Sequence, residues 1–202
     1  MSEDQAANRV PTQTPAVERV TSTRPAGRER ELAVADWLLA AARDRNQARH
    51  EWATLGIALL TCGVIFSALR MPGDLVRAAA RTDDDEGVAT FLRHSLDGGP
   101  AIRDVYGDRY YVLAPVGAGR AATVRTGCPE YLGQDCYLGV PEPSRTTPPG
   151  RAHWCVPMDV PVRLCAPQRL TATVSLGQER LRAAQAESNR PDTARPVIGP
   201  PR

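Results

Sequence analysis

The chain has 202 residues and a formal net charge of +2 at pH 7. A charge this small gives no long-range attraction for a polyanion, so composition alone does not indicate a nucleic-acid partner. All 25 basic residues are arginine. We attribute this to codon usage in a GC-rich genome, because the arginines are spread over the whole sequence.

Large apolar residues are nearly absent from both ends of the chain. Residues 1–30 and 188–202 are rich in Pro, Thr, Ser, Gln and Arg. Such segments cannot bury enough apolar surface to offset the entropy that is lost on ordering. We therefore expect two disordered tails around a single domain over residues 31–187, and no signal peptide at the start.

The clearest helix is predicted over residues 31–51, where good helix formers dominate and apolar residues follow a helical period. Residues 52–69 contain no charge, and this length requires a transmembrane helix to be considered. Arginines flank the segment on both sides, so no charge asymmetry orients it. Because Cys62 and Gly63 divide it, we expect buried strands at 57–61 and 64–70. A membrane helix over 52–69 is the alternative.

Turn and cap residues divide the middle of the chain. Asp74 follows a Pro-Gly pair and is placed to cap a helix over 75–83. The acidic run 83–86 suits a solvated loop before a second helix over 87–96, because acidic groups stabilise a helix N-terminus.

The second half of the chain predicts strands followed by a helix. A Gly-Asp turn divides a hairpin, two further strands follow, and an amphipathic helix spans about 176–187. The predicted fold is α+β, a single domain with a mostly antiparallel sheet flanked by helices that lie on one side. Its expected strands are 57–61, 64–70, 101–106, 109–114, 135–140 and 152–157.

The five cysteines include no C-x-x-C pair. Cys128 is near enough in sequence to pair with Cys136, and Cys155 with Cys165. A zinc site requires tight cysteine pairs with histidine, and His153 is the only histidine nearby. We expect reduced, mostly buried thiols in a cytoplasmic protein and no bound metal.

Two further patterns lack the context that their chemistry requires. Residues 117–122 spell G-x-G-x-x-A, but too few residues follow to form the helix of a dinucleotide site. A nucleophilic site from Ser144, His153 and Asp135 has no G-x-S-x-G turn. We expect no cofactor and no hydrolase chemistry.

Three segments, in this order, resemble the bifunctional DNA primase/polymerase N-terminal domain. They are TCGVIFSALRMPGDLVRAA (61–79), GGPAIRDVYGDRYYVLAPVG (98–117) and LGQDCYLGVPEPSRTTPPGRAHW (132–154). The resemblance covers residues 55–157, about half of the chain. It implies an α+β fold and an ancestral nucleotidyl-transfer chemistry.

The chain departs from that family at the catalytic positions. The family's carboxylate pair has no counterpart in the stretch 67–70, which contains no acid, and the family's histidine has none in 143–146. Without carboxylates no divalent ions are held to stabilise the developing phosphoryl charge. We therefore expect a relative that has lost catalysis, with no catalytic residues.

The resemblance also implies an ancestral surface for nucleotides, DNA or RNA. Several arginines lie near predicted strand ends and loops, and on one shared face they would contact phosphates. Two alternatives remain: a protein–protein adaptor that presents Trp37, Trp154 or the apolar strands, and a membrane-anchored accessory protein that uses 52–69. The candidate nucleic-acid-binding residues are Arg70, Arg109, Arg120, Arg125, Arg145 and Arg151.

Overall fold

The computed structural model describes residues 27–118 and 129–188. The helices in these ranges are α1 (Gly27–Leu38), α2 (Arg45–Leu55), α3 (Gly73–Ala80), α4 (Asp85–Ser95) and α5 (Pro167–Ser188), with a 3-10 turn at Leu39–Ala41. The strands are β1 (Ile57–Thr61), β2 (Ser67–Pro72), β3 (Ala101–Asp104), β4 (Arg109–Ala114), β5 (Glu130–Leu132), β6 (Tyr137–Pro141) and β7 (Ala152–Val156).

The strands form two antiparallel sheets, which confirms the predicted α+β class. The larger sheet has the order β5-β2-β4-β3-β7, and β1 pairs with β6 in a separate two-stranded sheet. The prediction of one sheet is therefore wrong. Local alternation shows which residues are buried, but it does not show that β1 pairs with a strand far along the chain instead of with β2.

The five-stranded sheet is covered on both faces, so the expectation of helices on one side is also wrong. Leu69 and Val112 face a core that is shared with α3, α4 and α5. Their neighbours Ala68 and Leu113 face a second core, which is shared with α1, α2 and the two-stranded sheet. Because successive side chains of a strand point to opposite faces, apolar residues at every position give a sheet that is buried on both sides.

The long helix predicted over 31–51 is divided into α1 and α2. The break is at Asp44, whose Oδ1 accepts hydrogen bonds from the backbone N–H groups of Asn46 (2.8 Å) and Gln47 (3.1 Å). The first N–H groups of a helix have no partner inside that helix, and an aspartate that accepts from them stabilises a helix start. Inside a continuous helix the same side chain would not stabilise the backbone in this way. Helix α2 ends at Leu55 and is capped by Gly56, which has a φ of 73°.

The bounds of the later helices also differ from the prediction, since α3 spans Gly73–Ala80 and not 75–83, and α4 spans Asp85–Ser95 and not 87–96. Asp74 lies inside the first turn of α3 and its Oδ1 accepts from the backbone N–H of Leu75, while Pro72 holds the cap position. Helix α5 begins at Pro167, well before the predicted start at 176. Proline at the first turn is pre-organised for a helix, but the β-branched residues that follow obscured the period.

Residues 52–69 are not a membrane helix. They form the end of α2, strand β1, a turn and the start of β2. Within 27–118 and 129–188, no helix is both long and apolar enough to cross a membrane.

Candidate functional site

A cleft of about 630 Å³ lies between the two sheets. Apolar side chains of α2, β1 and β6 form one wall, and Ile102, Tyr111 and Ala152 of the five-stranded sheet form the other. Three charged residues, Glu51, Asp104 and Arg151, also line it. The cleft therefore combines an aromatic ring, an apolar wall and charges of both signs. The apolar wall consists of Leu55, Ile57, Leu59 and Leu138, beside Gly139.

Two tryptophans hold the two-stranded sheet in place beside the larger one. The indole N–H of Trp52 on α2 donates to the Val140 carbonyl at 2.9 Å. The indole N–H of Trp154 on β7 donates to the carbonyls of Pro141 (3.1 Å) and Glu142 (3.2 Å). Two of these three bonds are buried, and together they hold the end of β6 against α2 and β7.

Arginines lie beside Tyr111 on the face of the sheet that borders the cleft. In the strand register Tyr111 is opposite Arg70 on β2 and opposite Ile102 on β3. Directly opposed residues project their side chains on the same face. Arg109 precedes Tyr111 by two positions on β4 and is opposite Asp104, so it also projects on this face.

The structure brings together some of the arginines predicted to bind nucleic acid. Arg70 forms an ion pair with Glu130 of the neighbouring strand. Arg109 is exposed, and Arg151 lies with its Nε 3.9 Å from Asp104 Oδ1 and its side chain 68% exposed. These contacts leave Arg109 and Arg151 accessible to a ligand at the cleft.

The other predicted arginines lie elsewhere. Arg145 is in the loop between β6 and β7, where its guanidinium occupies the space that a side chain at Gly56 would fill. The backbone carbonyl of Arg145 accepts a hydrogen bond from the backbone N–H of Trp154 at 2.9 Å. Arg120 and Arg125 lie outside the described residues.

Glu51 is held in an ionised, fixed position at the cleft. Its Oε2 accepts from the backbone N–H of Leu59 at 2.9 Å, and its Oε1 accepts from Gln47 Nε2 at 3.1 Å. The backbone bond is the main cause that lowers the pKa of Glu51 below its ordinary value. The carboxylate also covers a donor on the free edge of β1, which is a common protection of edge strands.

Asp104 shows that the five-stranded sheet does carry an acid at a strand end, next to the cleft. Its Oδ1 accepts from the Gly107 N–H at 3.1 Å. The stretch 67–70, which contains no acid, gave no indication of Asp104, because Asp104 is at the end of a different strand. In the part of the chain that the structure describes, no group of three or more His, Cys, Asp and Glu side chains could hold a metal ion.

A second charged cluster lies on the opposite face of the sheet, under α3 and α4. Asp108 Oδ1 and Oδ2 accept from Arg77 Nη1 and Nη2, each at 2.8 Å, and Oδ1 also accepts from Arg103 Nη2 at 2.8 Å. The Arg103 guanidinium stacks over the Tyr110 ring at 4.6 Å and approaches Asp85 at 3.8 Å. The hydrogen bonds from Arg77 are the main cause that holds the pKa of Asp108 well below its usual range.

His153 belongs to this second cluster and not to the cleft. It is opposite Arg103 in the strand register, on the other face of β7 from Ala152. Burial lowers the pKa of His153 below its ordinary value, and Asp85 opposes that shift. Its Nδ1 is buried and has no hydrogen-bond partner among the described residues, so this nitrogen does not bond to Ser144 or Asp135.

The described cysteines are free thiols, and Cys128 lies outside the described residues. The thiol of Cys155 donates to the Ala101 carbonyl at 3.3 Å, whereas that of Cys165 lies 3.9 Å from the Leu96 carbonyl. Burial raises the pKa of both thiols to about 12. The two thiols therefore have separate backbone partners, and no bond joins Cys155 to Cys165.

Comparisons with protein-family models, with curated proteins and with solved structures find no match for this chain.

Proposed function

We propose that this protein is a non-catalytic domain that binds single-stranded nucleic acid at the cleft, as an accessory to replication. The observation that carries the proposal is the strand register, which places Arg70 and Arg109 beside Tyr111 on the face of the sheet that borders the cleft. An aromatic ring flanked by basic side chains on a sheet is a common platform for unpaired bases.

The distribution of charge indicates how a strand would lie. Glu51 and Asp104 line the cleft and repel phosphates from its interior, but their oxygens accept hydrogen bonds from base amino groups or sugar hydroxyls. Arg109 and Arg151 offer planar, multidentate donors for phosphate at the rim. A base therefore enters the cleft and stacks on Tyr111, while its phosphates remain at the rim.

The resemblance to the primase/polymerase family supports this binding role and a cytoplasmic location. In this proposal the domain keeps the ancestral surface and lacks the carboxylates that hold metal ions, because the stretch 67–70 on β2 contains no acid.

A protein–protein adaptor is the second candidate function. The surface that favours it is not the pair of tryptophans considered from the sequence. Trp154 is buried, and Trp37 is partly buried and packs on Phe66 with ring centroids 6.3 Å apart. Leu55 and Leu59 are instead exposed beside the cleft. Exposed apolar side chains that are grouped at a cleft favour a partner of some kind.

Binding of short DNA and RNA oligonucleotides, followed by fluorescence anisotropy at low salt, tests the proposal. Tyr111→Ala is expected to weaken binding about tenfold, because stacking on an aromatic ring contributes about 1–3 kcal/mol per base. Tyr111→Phe keeps the ring and is the matched control, with an affinity close to that of the native chain. No binding of either nucleic acid at low salt would favour the adaptor, and equal affinities of the two variants would exclude stacking on Tyr111.

The non-catalytic part of the proposal has its own test. Purified protein with a primed template, nucleotides and Mg²⁺ or Mn²⁺ is expected to show no incorporation, because the metal-binding carboxylates of the family are missing. Incorporation that survives purification and is abolished by Asp104→Asn would contradict this, and would make the cleft a catalytic site. Asp135→Asn, at an exposed turn away from the cleft lining, is the control.

A further inference from the structure

Two cysteines that are far apart in sequence are opposite each other at the end of the two-stranded sheet. The register pairs Thr61 with Tyr137, and the ladder continues by one step because the Cys62 N–H donates to the Cys136 carbonyl at 2.9 Å. Opposed residues of an antiparallel ladder have Cα atoms about 4.5–5.5 Å apart. This lies within the range of about 4.4–6.8 Å that disulfides require.

Both side chains also lie on the same side of the two-stranded sheet. Cys62 is part of the core between the sheets, and Cys136 packs against that core. Directly opposed residues of an antiparallel pair project in the same direction, and Cys136 is near enough to contribute to the raised pKa of Cys62. No change of strand register is needed to bring them together.

We propose that Cys62 and Cys136 form a reversible disulfide when the protein meets a low-molecular-weight disulfide such as oxidised glutathione. The bond would join β1 to β6, the two strands that supply Leu59, Leu138 and Gly139 to the cleft wall. Formation of this disulfide does not depend on which ligand the cleft binds.

The unequal exposure of the two thiols sets the order of the steps. Cys136 is partly exposed, whereas Cys62 is 1% exposed. The Cys136 thiolate attacks a sulfur of oxidised glutathione, forms a mixed disulfide and releases one glutathione thiolate. Cys62 then loses its proton and attacks the Cys136 sulfur, which releases the second glutathione. Two protein thiols are oxidised, one glutathione disulfide is reduced, and the two released protons pass to the glutathione thiolates.

The second step is expected to be slow at neutral pH. Burial, with the nearby Cys136 as a smaller cause, raises the pKa of Cys62 to about 12, and only the thiolate attacks. The mixed disulfide on Cys136 therefore accumulates first, and its conversion becomes faster as the pH rises.

Peptide mapping of the full chain after treatment with oxidised glutathione tests the proposal. The native chain is expected to lose two of its five thiols and to give a linked peptide pair containing Cys62 and Cys136, both changes being reversed by dithiothreitol. Cys62→Ser should stop at the mixed disulfide on Cys136, and Cys136→Ser should leave Cys62 unmodified. Cys155→Ser is the matched control and should behave as the native chain does.

Three outcomes would overturn the proposal. One is retention of all five thiols, another is a bond between Cys136 and Cys128, and the third is a mixed disulfide that never converts even at alkaline pH. The native chain alone distinguishes these outcomes, so the test does not depend on the folding of any variant.

Discussion

Replacing Asp108 with asparagine is expected to lower the free energy of unfolding by about 2 kcal/mol. The carboxylate accepts hydrogen bonds from both Arg77 and Arg103. Asp108 itself is half exposed, so solvent screening reduces its own contribution. The side chain of Arg103 is only 10% exposed, and most of the loss comes from leaving its charge without the nearest counter-charge.

The substitution isolates charge from backbone geometry. Asp108 has a φ of +47°, in the left-handed region that asparagine adopts as readily as aspartate does. Asp97→Asn is the matched control, because Asp97 has a φ of +53° and is exposed. The control is expected to change the free energy of unfolding by less than about 0.5 kcal/mol. Equal effects of the two substitutions in urea unfolding would contradict a stabilising role for the Arg77–Asp108–Arg103 cluster.

The difference between the native chain and Asp108→Asn is also expected to depend on pH. The folded pKa of Asp108 is depressed, so its contribution is fully present above the unfolded carboxyl pKa of about 3.9. It is lost as the pH falls from that value through the folded pKa. The difference in unfolding free energy should thus be constant near neutral pH and shrink below about pH 4.

The positions of several strands could be predicted from the sequence, but their partners could not. Strands β1 and β4 have the expected bounds, because the division at Cys62 and Gly63 after β1 and the turn at Gly107 and Asp108 before β4 are local signals. The pairing of β1 with β6 depends on contacts between distant parts of the chain, such as the Trp52 and Trp154 bonds to the end of β6. Strand β5 was missed because three residues are too few to show a period.

The candidate site could be predicted only in part, for a similar reason. Arg70 and Arg109 were identified because they lie near predicted strand ends. Tyr111 was missed because adjacent tyrosines on one strand must face opposite sides, and the sequence does not show which side borders a cleft. Tyr110 is buried in the core under α3 and α4, whereas Tyr111 lines the cleft. One local signal for Tyr111 was present in the sequence: it lies two positions after Arg109 on the same strand, so both side chains project on the same face.

The ion cluster on the other face shows the same limit. The Gly-Asp turn was recognised, but the partner of Asp108 is Arg77, which is 31 positions away on α3. Helix α3 packs against α5 across the sheet face, so the position of Arg77 depends on the tertiary structure and not on the turn.

The salt dependence of single-stranded DNA binding tests the central claim most directly. Replacing Arg70, Arg109 and Arg151 together with glutamine should reduce the slope of log affinity against log salt by about two units, since each phosphate contact on a single strand contributes about 0.7. Affinity at low salt should fall roughly tenfold to a hundredfold, because exposed ion pairs contribute up to about 1 kcal/mol each.

The matched control replaces Arg93, Arg169 and Arg182, which are exposed on α4 and α5 over the opposite face of the sheet. Both variants lower the formal net charge by three units, so a difference between them reports position and not total charge. A shallower slope is expected only for the variant at the cleft. Equal slopes for the two triple variants would contradict a nucleic-acid-binding face beside Tyr111.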